Sequence, residues 1–227
     1  MLVLTPTQVA ALIDHTLLKP EATDAEIEIL CSEAVAHGFK AVCVNPWHLP
    51  RVATRLRGER PLPITVVGFP LGASQPQAKA REAGLAVEQG AAEVDMVLNL
   101  GALKSNQPHA VLQDIHGVVR ACAGVPVKVI LETCLLADAE KELACRLAVE
   151  AGAAFVKTST GFSRGGATQA DVALLRRVVG TSVGVKASGG IRTYAELFGM
   201  VQAGADRIGA SAGAAIVAQA AHSKGVL

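Results

Sequence analysis

Four segments of the chain echo one another: AHGFKAVC, EQGAAEVD, EAGAAFVK and QAGADRIG. In each, a helix-like stretch runs into a glycine, at Gly38, Gly90, Gly152 and Gly204, which are separated by 52, 62 and 52 residues. Five positions after each glycine stands a chemically distinct residue: Cys43, Asp95, Lys157 and Gly209. Glycine enters the left-handed conformation that ends a helix without a steric penalty, so the constant offset predicts these four residues at one height on alternate strands. Alternate strands supply one layer of the interior of a (β/α)8 barrel. An open sheet would not require a four-fold echo of this kind. The repeat therefore proposes that a thiol, an acid, an amine and a gap share a layer near the active-site face.

The rest of the chain fits that frame. Short β-branched or apolar runs alternate with longer amphipathic stretches, the pattern that produces a parallel sheet. Eight strands are expected, near Leu12–Thr16, Ala41–Val44, Ile64–Gly68, Glu93–Leu98, Val127–Leu131, Ala154–Thr158, Gly184–Ala187 and Arg207–Ala210. Thr23 or Asp24 can cap a helix ending near His37, and Thr168 one ending near Val179. Thr5 followed by Pro6 reads as an N-cap and first helical residue of a short lid helix before the first strand. The fold class is thus α/β, a TIM barrel with a short N-terminal helix, as a single domain over residues 1–227. The length suits this, because 227 residues is near the short end for such a barrel. Hydrophobic residues make up 51% and aromatics only 3%, so Val, Ala, Leu and Ile must fill the core.

With 21 basic and 20 acidic residues there is no global field to recruit nucleic acid or an anionic membrane, and an anion must be bound locally. Five scattered cysteines, Cys31, Cys43, Cys122, Cys134 and Cys145, suggest neither a disulfide framework nor a zinc site and fit a reducing cytoplasm. The N-terminus lacks a cationic stretch before its apolar residues, and no uncharged apolar run reaches 18 residues, so a soluble, unprocessed chain is expected.

Lys157 lies in AAFVKTSTGF, within an apolar strand where lysine is rarely buried without a partner or a task. Burial penalises the ammonium and frees the nucleophilic amine near neutral pH, which suits a Schiff base; a purely structural pair with Asp95 is an equal alternative on this strand alone. Lys186, in VGVKASGGIR, shifts the balance towards function, because two neighbouring cations depress each other's pKa. Asp95 could then hold Lys186 or move protons through a water. Lys128 with Glu132, four residues later, reads either as a lower-layer ion pair or as a third catalytic group.

Glycine-rich loops follow the last three strands: Thr160-Gly161, then Ser188-Gly189-Gly190-Ile191-Arg192, then Gly209-Ala210-Ser211-Ala212-Gly213. Their backbone amides, helix N-termini, hydroxyls and Arg192 are expected to bind phosphate through Gly161, Gly189, Gly190, Arg192, Gly209 and Ser211. Asp14, His15 and Thr16 end the first strand, and one of Asp14 and His15 must point inward. An inward polar residue there, Asp14 or Thr16, could bind substrate hydroxyls together with Thr160, or could make a structural hydrogen bond within the barrel; Cys43 reads first as a packing residue. His37, His109, His116 and His222 read as solvated surface. His15 and His48 alone do not make a metal site, so neither a metal nor another cofactor is expected.

The segments DHTLLKP, AVCVNP, EVDMVLN, VKVILETC, FVKTSTGF, VKASGGIR and RIGASAG, in this order and spacing, resemble the deoxyribose-phosphate aldolase family across nearly the whole chain. The resemblance implies reversible cleavage of 2-deoxy-D-ribose 5-phosphate to acetaldehyde and D-glyceraldehyde 3-phosphate, with Lys157 as the Schiff-base lysine and Lys186 and Asp95 as the proton-transfer pair. It also implies that the glycine loops and Ser211 hold phosphate and that Asp14 and Cys43 line the site. Phe162 departs from the pattern, because some members carry lysine there, and backbone donors must carry more of the phosphate. Partners are then a small phosphorylated sugar and aldehydes, without nucleic acid or membrane, in a homo-oligomer, dimer or tetramer; the helix from Gln75 to Glu88 offers a face for a second subunit. The competing readings are another phosphosugar-processing barrel enzyme and a non-catalytic phosphosugar-binding protein.

Overall fold

Each apolar run closes into a short strand, and each strand is followed by helix. The computed structural model describes residues 4–222; residues 1–3 and 223–227, which include both ends of the expected 1–227 domain and the start of the N-terminal stretch, lie outside the described residues. The strands are β1 (Ile13–Leu17), β2 (Ala41–Val44), β3 (Leu62–Val67), β4 (Glu93–Val97), β5 (Val127–Ile130), β6 (Phe155–Lys157), β7 (Gly184–Ser188) and β8 (Arg207–Ala210). All neighbours are parallel, and β8 pairs with β1 to close the barrel. The helices are α1 (Pro6–Ala10), α2 (Asp24–His37), α3 (Leu49–Arg55), α4 (Pro76–Glu88), α5 (Leu100–Lys104), α6 (Pro108–Ala121), α7 (Asp138–Glu150), α8 (Gln169–Val179), α9 (Tyr194–Gln202) and α10 (Gly213–His222).

The expected caps form. Thr5 and Thr23 both make capping boxes, with Gln8 and Glu26, and the Thr168 hydroxyl accepts from the Asp171 amide. α1 packs beside α10 rather than over the mouth of the barrel, so it is no lid. β3 begins two residues before the expected Ile64. Pro63 has no amide to donate, but as the second residue of β3 it still joins the ladder through its carbonyl, which accepts from the Ala92 amide at 2.8 Å. α4 packs most extensively on α6, and Lys79 is buried between them, pairing with Asp114 at 2.6 Å and donating to the Val97 carbonyl at 3.0 Å. The inner face of the expected subunit-packing helix is thus already occupied, and Leu85 on its outer face is 51% exposed.

The four repeat glycines all have positive φ, from 69° to 111°. Strand register then tests the inference drawn from their offset. Cys43 registers through Ile64 with Glu93, two residues before Asp95. Asp95 registers through Lys128 with Phe155, two before Lys157, and Lys157 through Lys186 with Arg207, two before Gly209. Gly209 registers through Asp14 with Ala41, two before Cys43. Four two-residue steps bring the path back to its start with a stagger of eight, that of a closed eight-stranded barrel, and put the four residues in one layer.

Two apolar bodies result. The larger fills the space between the barrel and its helices, with Val9, Ile27, Ile115, Val156 and Leu175 among its fully buried members. The smaller lies inside the barrel against β2 and β3, built from Leu18, Ala41, Cys43, Ile64 and Val66. The barrel interior is therefore divided: apolar on the β2–β3 side and charged elsewhere.

Candidate active site

Asp95 is the hub of the charged half. Its Oδ1 accepts from Lys128 at 2.7 Å, and its Oδ2 accepts from Lys157 at 2.9 Å and from Lys186 at 2.8 Å. Lys186 also pairs with Asp14 Oδ2 at 2.5 Å. Alternation along β1 turns Asp14 inward and His15 outward, where its Nε2 meets Glu33 of α2 at 2.7 Å. Asp14, Asp95, Lys128 and Lys186 are completely buried, and Lys157 is 3% exposed.

Burial sets the direction for Lys157, lowering its pKa; Asp95 pulls the other way and Lys186 adds to the lowering. Burial penalises Lys186 as well, but Asp14 and Asp95 together more than offset this and hold its pKa above the ordinary lysine value. Asp95 is opposed by burial yet held well below the usual carboxylate range by Lys128, Lys157 and Lys186. Two adjacent lysines are thus driven apart, one towards the neutral amine and one towards the permanent cation. Burial and the Asp95 charge push the Cys43 thiol up, so Cys43 is a neutral packing residue in this layer.

Gly209 supplies the gap in the layer. A Cβ there would collide with Ser188 Oγ and press on Lys186 Cε at 3.3 Å, so the absent side chain is what admits the Lys186 stem.

Above the layer opens a cavity of about 300 Å³ with Lys157 in its wall. Thr16, Thr160, Gly161, Gly189 and Gly190 line it, as do Arg192, Gly209 and Ser211. Asp14, Cys43, Asp95 and Lys186 do not reach it; they lie beneath, in the barrel interior. Ser211 stands two residues before α10, whose N-terminus carries the positive end of the helix dipole towards this side.

The expected pairing of Lys128 with Glu132 does not occur. β5 ends at Ile130, and Glu132 has φ 54°, which turns its side chain away from the strand; Lys128 binds Asp95 and Glu93 instead. Glu132 is 3% exposed and accepts from the Thr160 hydroxyl, with both carboxylate oxygens 3.4 Å from the Thr160 amide. Sequence reasoning missed this bracing of the β6 loop, and it also passed over Lys19, an exposed cation on the cavity wall. The available signal for Lys19 was its place just beyond the first strand. Phe162 lines the cavity too, 52% exposed and edge-on to Phe69 with centroids 5.2 Å apart. His37, His109, His116 and His222 are exposed as expected, and no cluster of three or more His, Cys, Asp or Glu suited to a metal occurs among the described residues.

The family model for the DeoC/LacD family aldolases matches residues 8–224. The chain belongs to this aldolase family. A deoxyribose-phosphate aldolase of Shouchella clausii is 57% identical over 221 residues, covering 96% of this chain and 99% of that one. One from Brevibacillus brevis is 56% identical over 205 residues, covering 90% and 93%. Among solved structures, the tetrameric deoxyribose phosphate aldolase of Aeropyrum pernix superposes with a TM-score of 0.88 at 35% identity, covering 94% of this chain and 91% of that one. For a DeoC/LacD aldolase, a lysine in the cavity wall over a buried acid is a chemically apt arrangement: an amine able to capture a carbonyl beside groups able to move protons.

Proposed function

We propose that the protein is a class I aldolase that reversibly cleaves 2-deoxy-D-ribose 5-phosphate into acetaldehyde and D-glyceraldehyde 3-phosphate. The observation that carries the reading is Lys157: a lysine in the cavity wall whose Nζ shares Asp95 Oδ2 with Lys186. The names of the relatives support the substrate.

The neutral amine of Lys157 attacks the C1 aldehyde of the open-chain sugar, and loss of water gives an iminium. That cation is the electron sink. A water served by Asp95 and Lys186 takes the proton of the C3 hydroxyl, the C2–C3 bond breaks towards the iminium, and glyceraldehyde 3-phosphate leaves. The remaining enamine is protonated at C2, and hydrolysis releases acetaldehyde and the lysine. Thr16 and Thr160 face the sugar hydroxyls from the cavity wall, while Asp14 holds Lys186 from beneath and Cys43 packs beside them. Gly161, Gly189, Gly190, Gly209, Ser211 and Arg192 hold the phosphate, with Lys19 as a further cation. Phosphate is remote from the broken bond, so its binding orients the reacting carbons and appears in the rate.

The reading extends to a single catalytic barrel over residues 1–227 that works in the cytoplasm as a homo-oligomer. The five free cysteines and the tetramer formed by the Aeropyrum pernix protein support this, and no helix among the described residues is long and apolar enough to cross a membrane. Incubation with acetaldehyde, borohydride reduction and mass mapping tests the chemistry. An adduct on Lys157 is expected, whereas no adduct there, or activity abolished by a chelator, would sink it.

A further inference from the structure

We propose that Glu93 and Arg207, one level below the reactive layer, are positioning residues that close a buried ring of three carboxylates and three cations, leaving Lys157 as the one surplus amine. The inference rests on the reading of Lys157 as the nucleophile.

The ring can be followed atom by atom. From Asp95 Oδ1 it passes to Lys128 at 2.7 Å, from Lys128 to Glu93 Oε2 at 2.6 Å, and from Glu93 to Arg207 Nη2 at 2.6 Å. Arg207 Nε donates to Asp14 Oδ1 at 2.9 Å, Asp14 Oδ2 meets Lys186 at 2.5 Å, and Lys186 returns to Asp95 Oδ2 at 2.8 Å. Signs alternate throughout. Glu93 and Arg207, 6% and 5% exposed, are the most accessible members, so the network is shielded from solvent.

Among the described residues, Lys157 is the one further charge on the barrel lining that faces this ring. β2 contributes Ala41 and the neutral thiol of Cys43, β3 contributes Ile64 and Val66, and β6 contributes Lys157 and Phe155. The Phe155 ring centroid lies 5.8 Å from the Arg207 guanidinium carbon and 6.0 Å from Lys128 Nζ, walling off the lower side. Three negative and three positive groups leave the ring neutral. Lys157 attaches from the cavity side, at 2.9 Å from Asp95 Oδ2, and its protonation would add one uncompensated charge to a buried network. Arg207 does not release its proton in proteins and Lys186 is clamped by two carboxylates, so the surplus proton leaves from Lys157. A buried ion network is a poor source of stability, whereas a fixed charge count that selects the reactive amine gives it a purpose.

The test is the pH profile of borohydride-trapped adduct formation in Glu93→Gln, Arg207→Met and the double variant. Glu93→Gln removes a negative charge and favours neutral Lys157, so the acid limb moves to lower pH by about one pH unit. Arg207→Met removes a positive charge and moves the limb to higher pH by a similar amount. The double variant restores neutrality and returns the limb towards that of the wild type, which structural damage would not do. Limbs that stay in place or move in the same direction would overturn the ring while leaving the Schiff-base reading intact; absence of any Lys157 adduct in the wild-type protein would overturn that reading itself. Should a single variant fail to fold, the wild-type profile decides alone: a limb set by buried charges stays in place between low and high ionic strength, and one that moves with salt overturns the proposal.

Discussion

Lys157 and Lys186 share one carboxylate oxygen. Their Nζ atoms lie 2.9 and 2.8 Å from Asp95 Oδ2, and their Cα atoms are register partners across β6 and β7. What separates them is the second acid: Asp14 lies 2.5 Å from Lys186 and makes no ion pair with Lys157 among the described residues. The same burial therefore yields a lowered pKa for one and a raised pKa for the other.

A pH prediction follows from the lowered value. A neutral amine is present above the pKa of Lys157 and is lost as pH falls through it, so adduct formation should persist below the ordinary lysine value of about 10.4 and decline on the acid side. The measurement is single-turnover trapping with acetaldehyde across pH. A limb at the ordinary lysine value would contradict the electrostatics of the site.

Lys186→Leu removes the neighbouring cation and leaves Asp14 and Asp95 short of a partner. Burial still lowers the Lys157 pKa, but the additional lowering by Lys186 is lost, so its pKa rises and the acid limb moves to higher pH. Turnover at neutral pH should fall by about 10²- to 10⁴-fold, the range for a lost proton-transfer group. Mass mapping should still find the adduct on Lys157, formed more slowly; unchanged turnover would remove Lys186 from the mechanism.

Much of this site was legible because its geometry is tied to sequence spacing. The offset from Gly38, Gly90, Gly152 and Gly204 located the layer, and strand alternation placed one of Asp14 and His15 inside. Contacts closed by tertiary structure were not legible. Glu93 and Arg207 are 114 residues apart and meet only when the barrel closes. Glu132 looked like the partner of Lys128 because four residues along a strand return to one face, but the strand stops at Ile130 and a left-handed residue breaks the alternation.

The phosphate loops predict a split between substrates. Ser211→Ala and Arg192→Ala each remove a donor from an exposed part of the cavity, where solvent screens the charge, so each should raise KM for deoxyribose 5-phosphate by about three- to tenfold. KM for unphosphorylated deoxyribose should hardly move. Phe162→Lys places an ammonium on the same wall and should lower KM for the phosphorylated sugar; an equal change for both sugars would separate these residues from phosphate.

Glu132 offers a test that separates backbone strain from hydrogen bonding. Its φ of 54° is costly for a residue with a Cβ, by about 1 kcal/mol, and its carboxylate holds the Thr160 amide and hydroxyl beneath the β6 loop. Glu132→Ala keeps the strain and deletes the acceptor, so it should destabilise by about 1–3 kcal/mol. Glu132→Gly deletes the acceptor but relieves the strain, and Glu132→Gln keeps both the strain and an acceptor oxygen. Urea denaturation should therefore rank the glycine variant above the alanine variant, the difference measuring strain, and the glutamine variant above alanine, the difference measuring the bonds to Thr160. Because Thr160 and Gly161 line the cavity, KM for deoxyribose 5-phosphate should rise in the alanine and glycine variants alike and recover in the glutamine variant. A KM that followed stability instead of the acceptor would make Glu132 a structural brace with no hold on the substrate.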